Sequence, residues 1–383
     1  MITWRVGNVV SLGKSWAGAQ ELDVVDQAGN RVRALAYPML VGEVAVGSAV
    51  ALNSSALDRG LGTGGYALVA AVLPKPGSAP ARRTDGPGHL VKARYTPTQA
   101  MVLGVDEQDS QFHAVLEDAD SIDGMPVITA DLHSALPAIL SGVRLSRDAL
   151  KVAYVMTDGG ALPAWFSRTA AQLRELGWLE SIISVGQSYG GDLEAVTVHT
   201  GLLAARHVVG ADIAIVIQGP GNLGTGTRWG YSGVAVGEAM NAAAVLGGVP
   251  VGSLRISSGD LRERHLGISH HSLTALGRVA LAPGHIVVPT FDPSDSFFGD
   301  FPPTSDSPSW QDMAALVARQ GGELAAVAPH HTFVDVAVGA PLHEALSESP
   351  VRLSTMGRGY GQDPLAFLAA GVAGQYAASL VAR

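Results

Sequence analysis

Cysteine is absent from all 383 residues. That excludes a disulfide framework, a thiol nucleophile and any thiolate metal site, and it suits a reducing cytoplasm. Charge is sparse as well: 15% of residues are Asp, Glu, Lys or Arg, and the acids outnumber the bases 34 to 25. The resulting net charge of -9 repels a phosphate backbone, so nucleic acid is not expected as a partner. Met1 to Asn8 hold no apolar block of the secretory kind, and export is not expected. Long hydrophobic runs are missing too. Leu365 to Ala382 comes nearest, but its Ala and Gly content, with Gln375 and Ser379, points to a packed terminal helix and not to a membrane span.

Apolar residues are plentiful, at 47%, and 47 glycines favour close packing of small side chains against a sheet. A chain of this length exceeds what one core normally fills, so two domains are expected. Residues 1–73 read as five short strands: Thr3 to Leu12, Glu21 to Asp26, Arg31 to Tyr37, Val44 to Leu52 and Tyr66 to Val72. They predict a small β-barrel or β-sandwich. Pro74 to Gly88 contains four Pro and three Gly and reads as a linker.

Residues 89–383 alternate strand and helix. Candidate strands are Val127 to Ala130, Val152 to Met156, Ile182 to Val185, Ile213 to Ile217, Val251 to Ile256, Ile286 to Pro289 and Phe333 to Val338. Helices are expected over Ala164 to Leu176, Leu193 to Val209, Val234 to Leu246, His270 to Leu281 and Gln311 to Gln320. Strands as uniformly apolar as Ile213 to Ile217 need cover on both faces. The prediction is an α/β fold, a mainly parallel sheet with helices on both sides. Asp292 to Ser309, with Phe297, Phe298 and Phe301, reads as an irregular but ordered excursion.

Ligands of an open parallel sheet bind outside the carboxyl ends of its strands. Here those ends are polar and glycine-rich: Asp131-Leu132-His133, Thr157-Asp158-Gly159-Gly160, Gly186 to Asp192, Gln218 to Thr227 and Ser257-Ser258-Gly259-Asp260. The longest, Gly219 to Gly233, joins a strand to a helix, where glycines let amides approach an anion at the helix N-terminus. Gly219, Gly221, Gly224 and Gly226 would supply the approach, and Thr225, Thr227, Arg228 and Ser232 further donors. A purely structural loop is the competing reading. Gly219 to Gly224 carries the letters GxGxxG, but Pro220 lies in the turn and no acid ends the next strand, so this is not a dinucleotide fingerprint.

Gly186-Gln187-Ser188-Tyr189-Gly190 matches G-x-S-x-G with a strand before it and a helix after it. The segment resembles the nucleophile elbow of the α/β-hydrolase family, which implies Ser188 as nucleophile, with Asp260 and then His270 or His271 following in chain order. The short span Leu261 to Ser269 leaves no room for the strand that family places between acid and histidine. His265, His270-His271 and His330-His331 show no HxH or HExxH spacing, so no metal site is assigned and the histidines are expected to be satisfied interior or surface residues. Neighbouring helical residues diverge by about 100°, so one of each pair at most should face a site. Ser269 is a good N-cap for the helix beginning at His270.

Gln218-Gly219-Pro220-Gly221, Gly267-Ile268-Ser269-His270-His271 and Ser354-Thr355-Met356-Gly357-Arg358-Gly359 together resemble a bacterial, largely actinobacterial, family of unknown function. The resemblance spans the chain and implies a two-part cytoplasmic protein without assigning an activity or a cofactor. The leading expectation is an enzyme acting on a small anionic molecule at the sheet's carboxyl edge. The glycine loop would hold the anion, and Asp158, Asp192 and His270 or His271 would be acid or base. A serine hydrolase through Ser188 is the first alternative. A noncatalytic homo-oligomeric assembly protein, joined through its Ala/Gly-rich terminal helix, is the second.

Overall fold

Alternating side chains close the N-terminal strands on themselves. In the computed structural model, which describes residues 2–74, 88–302 and 308–382, β1 (Trp4–Trp16), β2 (Ala19–Asp26), β3 (Arg31–Ala36), β4 (Ala49–Asn53) and β5 (Ala67–Val72) form a closed barrel in the order β1-β2-β3-β5-β4. Every second residue points inward: Leu22 and Val24, Val32 and Ala34, Val50 and Leu52, Ala67 and Val69 make one core. Closure removes the free sheet edges. A hairpin of β6 (Leu90–Lys92) and β7 (Ala100–Val102) follows. The expected linker at 74–88 lies outside the described residues except for its two ends, and so do residues 303–307 of the irregular excursion.

The chain divides into two compact units. One comprises Met1–Leu103 with the later segment Trp165–Ala171; the other comprises Gly104–Ala164 and Gln172–Arg383. Trp165 belongs to the barrel unit for a local reason. Its carbonyl accepts from Trp16 Nε1 at 2.6 Å, and its ring fills the space beside Gly18, where a Cβ would collide with the indole.

The second unit is a parallel sheet with helices, as the apolar runs required. Its strands are β8 (Pro126–Thr129), β9 (Val152–Thr157), β10 (Ser181–Ser184), β11 (Leu193–Glu194), β12 (Ile213–Gln218) and β13 (Val249–Ser253). Two short strands, β14 (Ile256–Ser257) and β15 (Gly267–Ile268), pair as a hairpin outside the sheet. β16 (His285–Thr290) and β17 (Thr332–Ala337) complete the sheet, in the order β11-β10-β9-β12-β8-β13-β16-β17. A last hairpin joins β18 (Ser354–Thr355) to β19 (Arg358–Gly359). The path starts at β8, runs outward through β9 to β11, returns to insert β12 beside β8, then proceeds the other way from β13. That reversal sets a crevice over the carboxyl ends of β8, β12 and β13.

Helices depart from expectation where burial or pairing overrides periodicity. The segment expected as helix from Leu193 to Val209 first adds β11 to the sheet by pairing Leu193 with Ile183; its helix is Val198–His207, capped by Thr197 accepting from the Thr200 amide at 3.2 Å. The helix Leu136–Ser146 was not foreseen because its first eight residues are all buried and carry no polar face. His270–Thr274 is α-helical, but the next turn, Ala275–Val279, widens to a π-helix.

The terminal helix Pro364–Leu380 spends its small residues inside its own chain. A Cβ on Gly142 would strike the Gly371 carbonyl, and one on Gly374 the Ile139 carbonyl, so this helix and Leu136–Ser146 pack backbone to backbone. Among the described residues no helix is long and apolar enough to cross a membrane.

Candidate active site

The carboxyl ends of the three central strands carry a buried set of charges. Asp131 follows β8, Arg255 follows β13, and His271 lies in the first turn of the helix begun by Ser269, whose hydroxyl accepts from the His271 amide at 3.3 Å. Arg255 Nη1 and His271 Nδ1 each lie 3.0 Å from Asp131 Oδ2. Arg255 Nη1 is also 2.9 Å from His271 Nδ1. The arrangement that pairs opposite charges has both groups donating to the Asp131 carboxylate. The carboxylate has lone pairs for two donors, whereas an unprotonated Nδ1 would oppose its lone pair to the carboxylate. With Nδ1 turned to Asp131, Nε2 is the His271 nitrogen that points away from the carboxylate.

Burial alone would raise the Asp131 carboxyl, but the His271 hydrogen bond and the Arg255 charge outweigh it and leave its pKa lowered. Gly233 lets the chain come this close, because a Cβ there would overlap Asp131 Oδ1. Tyr231 stacks on His271 with ring centres 3.7 Å apart and donates its hydroxyl to the His271 carbonyl at 2.7 Å. Gln218, at the end of β12, donates to the Asp131 carbonyl at 2.8 Å. Two clefts meet at Asp131. One is lined by Ser134, Arg255, Ser257, Met356 and Arg358, the other by Thr157, Gln218, Ser232 and Gly233.

Three imidazoles meet beside this set. The β14–β15 hairpin carries His265, and its ring centre lies 4.9 Å from that of His270 and 5.1 Å from that of His271; the last two are 4.4 Å apart. One ring nitrogen from each falls within 4.8 Å of the others. His265 Nδ1 lies 2.8 Å from Ser269 Oγ, while His270 Nε2 is buried with no hydrogen-bond partner. Desolvation, with the Arg255 and Arg262 charges, lowers the His265 pKa to about 3; desolvation, His271 and Arg264 lower His270 to about 4. The expectation that only one of His270 and His271 faces a site is corrected. Both rings converge, because the divergence of adjacent helical residues applies to Cβ directions and imidazole arms bend back from it. The expectation of a satisfied His270 also fails, its Nε2 being unpartnered.

A second network braces the same edge. Asp363, fully buried, accepts from Ser257 Oγ at 2.7 Å, the Ser258 amide at 2.8 Å, the Gly259 amide at 3.2 Å and Arg358 Nε at 3.0 Å. Arg358 also reaches Asp260 at 3.3 Å, and the Arg262 fork grips Asp260 and holds its pKa below the usual carboxylate range. The β18–β19 turn aims Arg358 through two left-handed residues, Met356 at φ 47° and Gly357 at φ 82°.

The other expected site residues lie elsewhere or serve the scaffold. Asp158 accepts from the Gln187 amide at 2.8 Å and sits where a side chain on Gly186 would be. Ser188 is fully buried, its hydroxyl directed at the Thr157 carbonyl, and it follows β10, three strand positions from β8. The acid that meets His271 is Asp131, not Asp260. Asp192 pairs with Arg174 at 2.9 Å at the far side of the sheet. In the glycine loop, Thr225 N donates to Gly230 O at 2.7 Å, Leu223 N to Ser232 Oγ at 3.0 Å and Ser232 N to Leu223 O at 2.9 Å. These bonds make the loop a hairpin-like finger that consumes the Leu223 and Thr225 amides and leaves Gly221, Gly224, Thr225, Gly226, Thr227 and Arg228 exposed. Gly219 is needed for packing, since a Cβ there would meet the Ala161 carbonyl oxygen at 2.7 Å.

His133, also after β8, rests its Nδ1 3.1 Å from the Tyr154 hydroxyl, and burial lowers its pKa to about 4. Its folded pKa lies below the ordinary value of about 6.5, so acidification from about 6.5 to about 4 protonates the unfolded chain first and stability falls with pH. Replacing His133 by Gln should remove about one proton from the pH dependence of unfolding in that window, measured by urea denaturation at stepped pH. Parallel curves for the two proteins would disprove the burial of a neutral ring.

Asp131, Arg255, His265, His271, Arg358 and Asp363 all fall within the span matched by one family model, residues 33–374, described as protein of unknown function (DUF3866). No curated protein and no solved structure matches the chain. The match begins within β3, takes in β4 and β5 of the barrel and nearly all of the α/β unit, and the chain belongs to this family of unknown function.

Proposed function

We propose that the chain is an enzyme acting on a small anionic molecule at the crevice over β8, β12 and β13. The observation that carries this reading is the buried triplet Asp131, Arg255 and His271. Burying charges is a poor way to stabilise a fold, since desolvation offsets their attraction. Groups of this kind collected where an α/β sheet reverses direction are the usual mark of a reaction site. Arg255 spends Nη1 on Asp131 and still lines the open cleft beside Ser257 and Arg358. Its remaining donors face a ligand in the planar fork that suits a carboxylate or phosphate. Asp131 and His271 supply a carboxylate and an imidazole for moving a proton on the bound molecule.

Thermal shift against a panel of phosphorylated and carboxylated metabolites tests the reading. At least one should raise the melting temperature of the native protein by mass action. Arg255→Lys keeps the charge but loses the fork, and it should abolish that shift. A panel that shifts neither protein, or both equally, overturns the reading.

A further inference from the structure

We infer that His265, His270 and His271 form a binding site for one divalent transition-metal ion of the zinc class. Nδ1 of His271 is held by Asp131 at 3.0 Å and Nδ1 of His265 by Ser269 at 2.8 Å, so each ring has Nε2 to offer. Nε2 of His270 is buried with no partner, an arrangement that desolvates a polar atom without compensation. One ion would satisfy all three at once.

A tetrahedral ion with bonds of about 2.05 Å holds its nitrogens about 3.4 Å apart. One ring nitrogen from each histidine stands within 4.8 Å of the others, a slightly open set that would close on the ion. Imidazole suits zinc, copper, cobalt and nickel far better than magnesium or calcium, which take oxygen. Three protein ligands leave a fourth position for water or a substrate oxygen, the pattern of catalytic rather than structural zinc. Asp131 has the place of the carboxylate that commonly stands behind a metal-bound histidine, fixing its tautomer and ring orientation.

The sequence conceals this site. His265 comes from a hairpin outside the sheet, and His270 and His271 from the first turn of the following helix, so the spacing H-x4-H-H matches none of the common zinc patterns. The site rests on the proposed reaction centre and refines it, since with an ion bound His271 would serve as a ligand and not as the proton carrier; its test uses metal alone and needs no substrate.

Full-length protein stripped with a chelator is titrated with Co2+, and the visible absorption is followed. The expected result is one equivalent bound, with the intense bands of a four-coordinate ion, displaced by Zn2+. His270→Gln and His265→Gln should each lose the bands, and Asp131→Asn, a positioning change, should weaken binding by about 10–100-fold. His113→Gln, at a surface histidine bonded to the Asp106 carbonyl, should bind as the native protein does. The native protein decides the matter even where a variant misfolds. Absence of the bands at saturating Co2+, or equal binding by a folded His265→Gln/His270→Gln protein, overturns the site. An anion-induced thermal shift in metal-free protein that bound no cobalt would defeat the metal site and leave the anion site standing.

Discussion

Asp363→Ala is expected to destabilise the α/β unit by about 3–5 kcal/mol, the range for removing one partner of a buried charge pair. The carboxylate is fully buried and accepts from two amides, the Ser257 hydroxyl and the Arg358 guanidinium. Truncation leaves these donors facing a void, and Arg358 retains only Asp260, at 3.3 Å. Ser257→Ala removes a single neutral donor and should cost about 1 kcal/mol. Urea denaturation of the three proteins, followed by a probe in the α/β unit, measures both differences. If Asp363→Ala stays within about 1 kcal/mol of the native protein, water replaces the carboxylate and the network does not hold the β18–β19 hairpin in place.

Gly142→Ala should destabilise by about 3 kcal/mol, although alanine is the better helix former. In an open helix interior the same change stabilises by up to about 1 kcal/mol. Gly142 faces the Gly371 carbonyl across the contact between Leu136–Ser146 and the terminal helix, and the added methyl group must push the two apart. Overpacking of that kind costs about 1–3 kcal/mol where the surroundings cannot yield, and both partners here are backbone. Gly322 gives the control. It lies exposed in the helix Trp310–Val327 with nothing within 4 Å of an added Cβ, so Gly322→Ala should stabilise slightly. Opposite signs at the two glycines are the expected result. Equal, slightly positive effects would mean the two helices do not touch backbone to backbone.

Much of the fold can be read from the chain because its signals are local. Alternation over Glu21 to Asp26 and Arg31 to Tyr37 marks paired barrel strands, and Ile213 to Ile217 is too apolar for anything but the middle of a covered sheet. Where tertiary burial displaced periodicity the reading failed. Leu136–Ser146 has no polar face to reveal it, and Leu193–Glu194 is drawn into the sheet by Ile183.

The site divides along the same line. Strand-end reasoning places Asp131 among five polar strand ends without choosing it over Asp158 or Asp192, and the Ser269 cap marks the turn that holds His270 and His271. Nothing in the chain announces that Arg255 meets Asp131 across 124 residues, that His271 meets it across 140, or that Asp363 braces Ser257 across 106. The residues by themselves determined a small all-β domain, a mainly parallel sheet and a polar carboxyl edge, since backbone period and hydrophobic burial act over a few residues. Only the tertiary structure decided which polar groups face one another, because the reversal of strand order between β12 and β13 brings remote loops to one crevice, and strand order is set by packing the whole sheet.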